Sequence, residues 1–143
     1  MSKSKPLKVF GRKEIAEAKD LQISTFPVPE WDTEEEAAAV LLRPLAGWQR
    51  DEWDKECQIA KNNGDAVPQS YRAKLVRKAL VDESGKPLYG EGPEEIKALA
   101  NKGAAALDRL FDEVVRLSGM SATAVKEAEK NSEAAPSDSS GSS

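Results

Sequence analysis

Carboxylates are the one abundant group in this sequence able to do acid–base or metal chemistry. There are 25 of them, and most stand in mixed-charge runs such as Glu34-Glu35-Glu36 and Asp51-Glu52. Runs of that kind read as solvated faces. The groups that usually partner a catalytic carboxylate are missing. The chain has no histidine and one cysteine, Cys57, so the common general base is absent and zinc sites of the usual ligand sets cannot be assembled. Gly85-Lys86 invites comparison with a phosphate loop, but Pro87 follows where Ser or Thr is required and no glycine precedes at the right spacing. Gly90-x-Gly92 precedes a helix and is explained by a helix cap. The chain is therefore read as non-enzymatic, with no catalytic residue, cofactor or metal ligand.

What remains is chemistry of contact. Arg72, Lys74, Arg77 and Lys78 are four cations on one stretch. They are either a solvated helix face or a patch that docks an acidic partner segment. Trp31 and Trp48 stand apart from the clearest apolar stripes. Aromatics so placed either close the edge of a thin core or anchor an interface. These six residues are the candidate protein-binding set.

Composition sets the class. In 143 residues, 39% are apolar and 32% charged, which suits one domain with a modest core and long solvated faces. A net charge of −4 argues against nucleic acid as the main partner. No apolar run approaches the roughly 20 residues of a membrane span. The basic N-terminus, with no long apolar stretch after it, does not read as a secretory signal. A lone cysteine cannot form an internal disulfide, which fits a cytoplasmic protein.

The elements that would carry these residues follow from periodicity. Residues 1–10 read as a flexible, basic N-terminus, residues 11–130 as one domain, and residues 131–143 as a disordered Ser-rich tail. Residues 11–19 suit a short helix. Leu21, Ile23 and Thr25 alternate as in a strand, and the slip at Phe26 and Val28 between Pro27 and Pro29 suggests an edge strand with a bulge. Thr33 and Glu36 match a capping box, yet Val40-Leu41-Leu42 ahead of Pro44 favours a strand pairing back on residues 20–30. Trp53, Cys57 and Ala60 share one face of a helix over 47–61. A second helix covers 69–80, followed by a small hairpin or tight turn to Tyr89. Pro93 opens another helix. Residues 104–118 form the clearest one, with Leu107, Leu110, Phe111, Val114 and Val115 as its stripe, an Asp112–Arg116 pair outside and Gly119 as its cap. Ser121 is expected to cap a last short helix to about Lys130. The fold class is α+β: a small N-terminal antiparallel hairpin packed with four to six helices.

Two stretches resemble the tail assembly chaperones of long-tailed bacteriophages. The first is Val28-Pro29-Glu30-Trp31, then Leu42-Arg43-Pro44-Leu45 and the helix with Arg50-Asp51. The second is Tyr71-Arg72-Ala73-Lys74-Leu75-Val76, then Val81 to Leu88, then Ala104 to Phe111. The joint order, over about residues 11–131, is more distinctive than any one motif. Ala46 stands where the family has a capping Thr, and Asp32 to Glu36 lengthen the hairpin. The resemblance implies a protein that coats the tape-measure protein, keeps it soluble and helps recruit tail-tube subunits. It implies residence in the cytoplasm of the infected host and absence from the mature virion. Many such chaperones also have a frameshifted longer form, to which a flexible tail would be a joint. Self-association is a further expectation. The rival readings are a head–tail joining or minor tail protein of the virion, and a small carboxylate–metal enzyme.

Overall fold

The computed structural model describes residues 5–120. The helix expected after Ser121 and the Ser-rich tail lie outside them. The chain is α+β: a three-stranded antiparallel sheet and five α-helices.

The first helix, α1 (Arg12–Glu17), buries nothing. It is held locally: the Glu14 carboxylate accepts the Gly11 N–H at 3.0 Å, and Ile15 N–H donates to the Gly11 carbonyl at 3.0 Å. The chain then enters the sheet. Strand β1 (Ser24–Pro27) pairs with β2 (Ala39–Leu42) in the register Ser24↔Leu42 to Pro27↔Ala39. The pairing expected from the proline-bracketed sequence is present, but the bulge is not. Val28 N–H still donates to the Ala38 carbonyl at 2.9 Å, so the ladder continues unbroken past Pro27. The prolines explain how. Val28 points its N–H inward at β2, so Pro27 and Pro29, one residue to either side, point outward, where no ladder donor is needed.

A 3-10 turn, Pro29–Trp31, leads into the acidic connection. There Thr33 and Glu36 bond each other as a closed turn: Thr33 Oγ1 accepts the Glu36 N–H at 3.1 Å, and Thr33 N–H donates to the Glu36 carbonyl at 2.9 Å. The sheet gains a third member beyond the expected hairpin. Strand β3 (Leu80–Val81) pairs with β2 through Leu41↔Val81 and Leu42↔Leu80. The tight turn after it is closed by Asp82, whose Oδ1 accepts from Ser84 N–H, Ser84 Oγ and Lys86 N–H at 2.8, 2.8 and 3.0 Å. Those bonds also hold the Asp82 carboxyl below its ordinary range. Gly85 takes φ +88°, a conformation that a side chain would strain.

Helices α2 (Gly47–Asn62), α3 (Tyr71–Ala79), α4 (Pro93–Ala100) and α5 (Ala104–Leu117) cover one face of the sheet. α3 is central and packs on both α4 and α5. The α5 stripe is as periodicity requires: Leu107, Leu110, Phe111, Val114 and Val115 are all buried. Phe111 meets Trp53 edge-on at 6.3 Å and Tyr71 at 5.4 Å between ring centroids. Gly119 ends the helix at φ +69°. Ser118 Oγ accepts the Leu45 N–H at 2.9 Å, fixing the start of α2 to the end of α5. One surface pair differs from expectation. Arg116 bonds Glu113, Nε to Oε1 at 3.0 Å, in place of Asp112. Three residues suffice because both side chains lean along the same turn.

Candidate protein-binding surface

α2 presents two faces. Trp53 and Ala60 are buried and Cys57 is half-buried, as their spacing requires. Trp48 lies off that face and is 65% exposed. Sequence reasoning missed its companion, Ile59, which is 51% exposed. Eleven residues separate the two, so they fall within about 20° of each other around the helix and about 16 Å apart along it. The signal was present in that spacing. It was masked because the buried face draws on residues of the same helix. Between the two, Lys55 is exposed and completes a ledge of Trp48, Lys55 and Ile59, while Glu52 turns toward α3.

Trp31 is different. It is half-buried and packs on the core. Lys102 Nζ stands 5.8 Å from its ring centroid, a cation–π contact. Trp31 therefore closes the edge of the core near α5, while Trp48 faces outward from α2.

The basic set on α3 is divided by the fold. Lys78 is 2% exposed, the one cation of the four taken wholly inside. Its Nζ donates to Glu52 at 2.6 Å and to Glu56 at 3.2 Å. This corrects the expectation of a patch that includes it. α3 is the central helix, so a cation on its α2 side meets α2 and not solvent, and it persists there because two carboxylates neutralise it. Gln49, also buried, bonds the Lys78 carbonyl at 3.0 Å and accepts the Ala46 N–H at 2.9 Å. That second bond is the N3 half of a capping box; the Gln49 N–H, which a capping side chain at position 46 would otherwise accept, donates to the Ala46 carbonyl at 2.9 Å. Arg77 is half-buried, with its Nε shielded from solvent. Arg72 is paired with Asp108 and lies over the Tyr71 ring, 4.7 Å from its centroid. Lys74 is half-exposed.

Arg72 and Lys74 each border a groove. One, of about 600 Å³, runs between the start of α3 and the start of α5, with Pro68, Ala100 and Leu107 inside and Arg72 and Lys102 at its rim. The other, of about 530 Å³, lies beside it between α3 and α4, with Ile96 inside and Lys74 and Lys97 at its rim. Ser70 lines both and holds φ 57°, ψ 40°, a left-handed conformation at the corner that separates them. A third groove, of about 630 Å³, crosses the outer face of the sheet over Thr25, Leu41 and Leu88.

Covalent chemistry is not favoured at the thiol. Burial, then the Asp54 and Glu56 carboxylates, push Cys57 up to about 11, so it is a neutral thiol near neutral pH. Among the described residues no three metal-ligating side chains come together, and no helix is long and apolar enough to cross a membrane. The described surface presents an apolar ledge on α2 and two grooves with basic rims beside α3.

No protein-family model and no curated protein matches the sequence. Among solved structures, the chain is similar to that of the bacteriophage HK97 tail assembly chaperone, at 23% sequence identity and a TM-score of 0.49, over 76% of this chain and 94% of that one.

Proposed function

We propose that this protein is a tail assembly chaperone of a long-tailed phage: a non-enzymatic protein that binds the tape-measure protein, keeps it soluble in the host cytoplasm and helps bring tail-tube subunits to it. The observation that carries the holding function is the α2 ledge. Trp48 and Ile59 are large apolar side chains aligned along a helix that is anchored on its other side by Trp53, and they stand open to solvent. Large aromatics on a rigid support are the usual anchors of binding energy. Their separation of about 16 Å suits a partner helix crossing α2 with apolar side chains about eleven residues apart. The identity of the partner comes from the family resemblance. The quoted motifs supply core residues, among them Val28, Leu42, Leu45, Leu75, Val76, Leu107, Leu110 and Phe111. The resemblance therefore concerns the framework, and the ledge concerns the task.

The test is co-expression with the tape-measure protein of the same phage, followed by sedimentation. Solubility of the long protein should depend on this chain. Replacing both Trp48 and Ile59 by alanine should weaken the complex by at least about 2 kcal/mol, roughly thirtyfold in affinity, with the fold retained. A tape-measure protein equally soluble alone would defeat the reading. So would the presence of this chain in purified virions, which would favour a joining or minor tail protein.

A further inference from the structure

The densest uncovered apolar surface lies outside the ledge. Of the nine exposed large hydrophobic residues among those described, six are Leu7, Val9, Phe10, Ile15, Leu21 and Ile23. They fall in one segment that precedes the sheet, and α1 within it contributes nothing to the core. Its charge also departs from the rest of the protein. Lys5, Lys8, Arg12, Lys13 and Lys19 stand with Glu14, Glu17 and Asp20 between residues 5 and 23, five cations to three anions, in a chain whose net charge is −4. One of those three carboxylates is occupied, since Glu14 caps Gly11 and stands 3.9 Å from Lys8. The segment ends on the sheet: a side chain at Gly85 would come within 3.8 Å of Ile23 Cδ1, so Ile23 lies over the β3 turn at the border of the outer-face groove.

A polar loop has no use for six uncovered large apolar groups, and exposed apolar side chains gathered in one short segment are what an interaction site offers. Its cations select the occupant. We infer that residues 5–23 form a basic, apolar arm that docks an acidic amphipathic helix of a partner protein, with Leu7, Val9, Phe10 and Ile15 on its apolar stripe and Lys5, Lys8, Arg12 and Lys13 against its carboxylates. The helical nature of the partner rests on the holding function proposed above. The acidic character rests on the arm alone. α1 is six residues long and has no tertiary packing, so its local bonds make it marginal in isolation and docking would order it.

The experiment uses the full chain and synthetic 20-residue amphipathic peptides that share one leucine stripe and carry either glutamate or lysine flanks. Binding is followed by peptide fluorescence anisotropy. The glutamate peptide should bind at least about tenfold more tightly than the lysine peptide, and its affinity should fall steeply with added salt. Lys5→Glu, Lys8→Glu, Arg12→Glu and Lys13→Glu together should abolish or invert that preference, with the circular dichroism and unfolding of the body unchanged. The quadruple Lys/Arg→Gln variant should give an intermediate result. Equal affinity for the two peptides would overturn the proposal. So would a preference that survives charge reversal, binding to anionic phosphatidylserine vesicles in place of the peptide, or loss of peptide binding on concentrating the protein, which would show a second copy on the arm. Since no tape-measure protein is present, these outcomes are separate from the solubility test.

Discussion

α5 and α1 are both helices, and they are held in opposite ways. α5 puts six residues into the core and receives Tyr71 and Trp53 around Phe111. α1 buries none, and its identity rests on Glu14 returning to Gly11. A core-facing stripe fixes the place of α5 in the molecule, because uncovering it would expose the apolar area that drives folding. The arm has an apolar population of its own but no cover, so its order depends on what approaches it. In one chain, the same class of side chain is framework in one region and reserve surface in the other.

Substitutions can break that contrast. The largest effects belong to α5: Leu110→Ala and Phe111→Ala should each cost about 2–5 kcal/mol in chemical denaturation. A loss under about 1 kcal/mol at both would put the wrong face in the core. Next comes Lys78. Lys78→Ala should cost about 2–4 kcal/mol, since it leaves Glu52 and Glu56 together at a partly buried site. Glu52→Gln or Glu56→Gln alone should cost less, because one carboxylate remains for the ammonium. A Lys78→Ala variant as stable as the parent would show that this pair of helices does not need its buried charge.

Cys57 sharpens the same contrast chemically. Its thiol is raised from 9.0 to about 11. At pH 8, iodoacetamide should therefore alkylate it roughly a hundredfold more slowly than an unperturbed thiol of the same intrinsic reactivity, with the rate rising about tenfold per pH unit until the thiolate forms. Raised pKa values act in this direction only, so a rate plateau near pH 9 would mean that the burial is not felt. The smallest effect is Ile15→Ala. Although Ile15 is a large aliphatic residue, this change should alter stability by less than about 0.5 kcal/mol, because the side chain is 64% exposed. A core-sized loss there would mean that the arm packs on the body.

Elements with a strong period or a distinctive terminus were legible in the sequence. α5 and its Gly119 cap, Pro93 at the start of α4, and the pairing of β1 with β2 all follow from residue type and spacing. Long-range pairing was less visible. Lys78 read as surface because its neutralising partners stand on another helix, 26 and 22 residues away. The one local clue was that Glu52 and Glu56 are four apart beside the core face of α2. Leu80-Val81 was legible as an arm of the small hairpin, which the Val81↔Pro87 bridge closes, but its pairing with β2 escaped because two residues carry no period. For the candidate surface, Trp48 was visible as an aromatic out of phase with Trp53, whereas Ile59 needed the ledge to be seen as a line.

Arg109 gives the edge of the sheet a further property. β1 is an outer strand, and such a strand ordinarily offers unpaired donors and acceptors to any extended chain. Here Pro27 has no donor to offer. Its outward carbonyl already accepts from Arg109 Nη2 at 2.7 Å, while Arg109 Nε holds Glu30 at 3.0 Å and its guanidinium lies over Phe26. A second strand could not add at this position without displacing a charged side chain from three partners. The lock resists β-addition and the fibrous aggregation that grows from it.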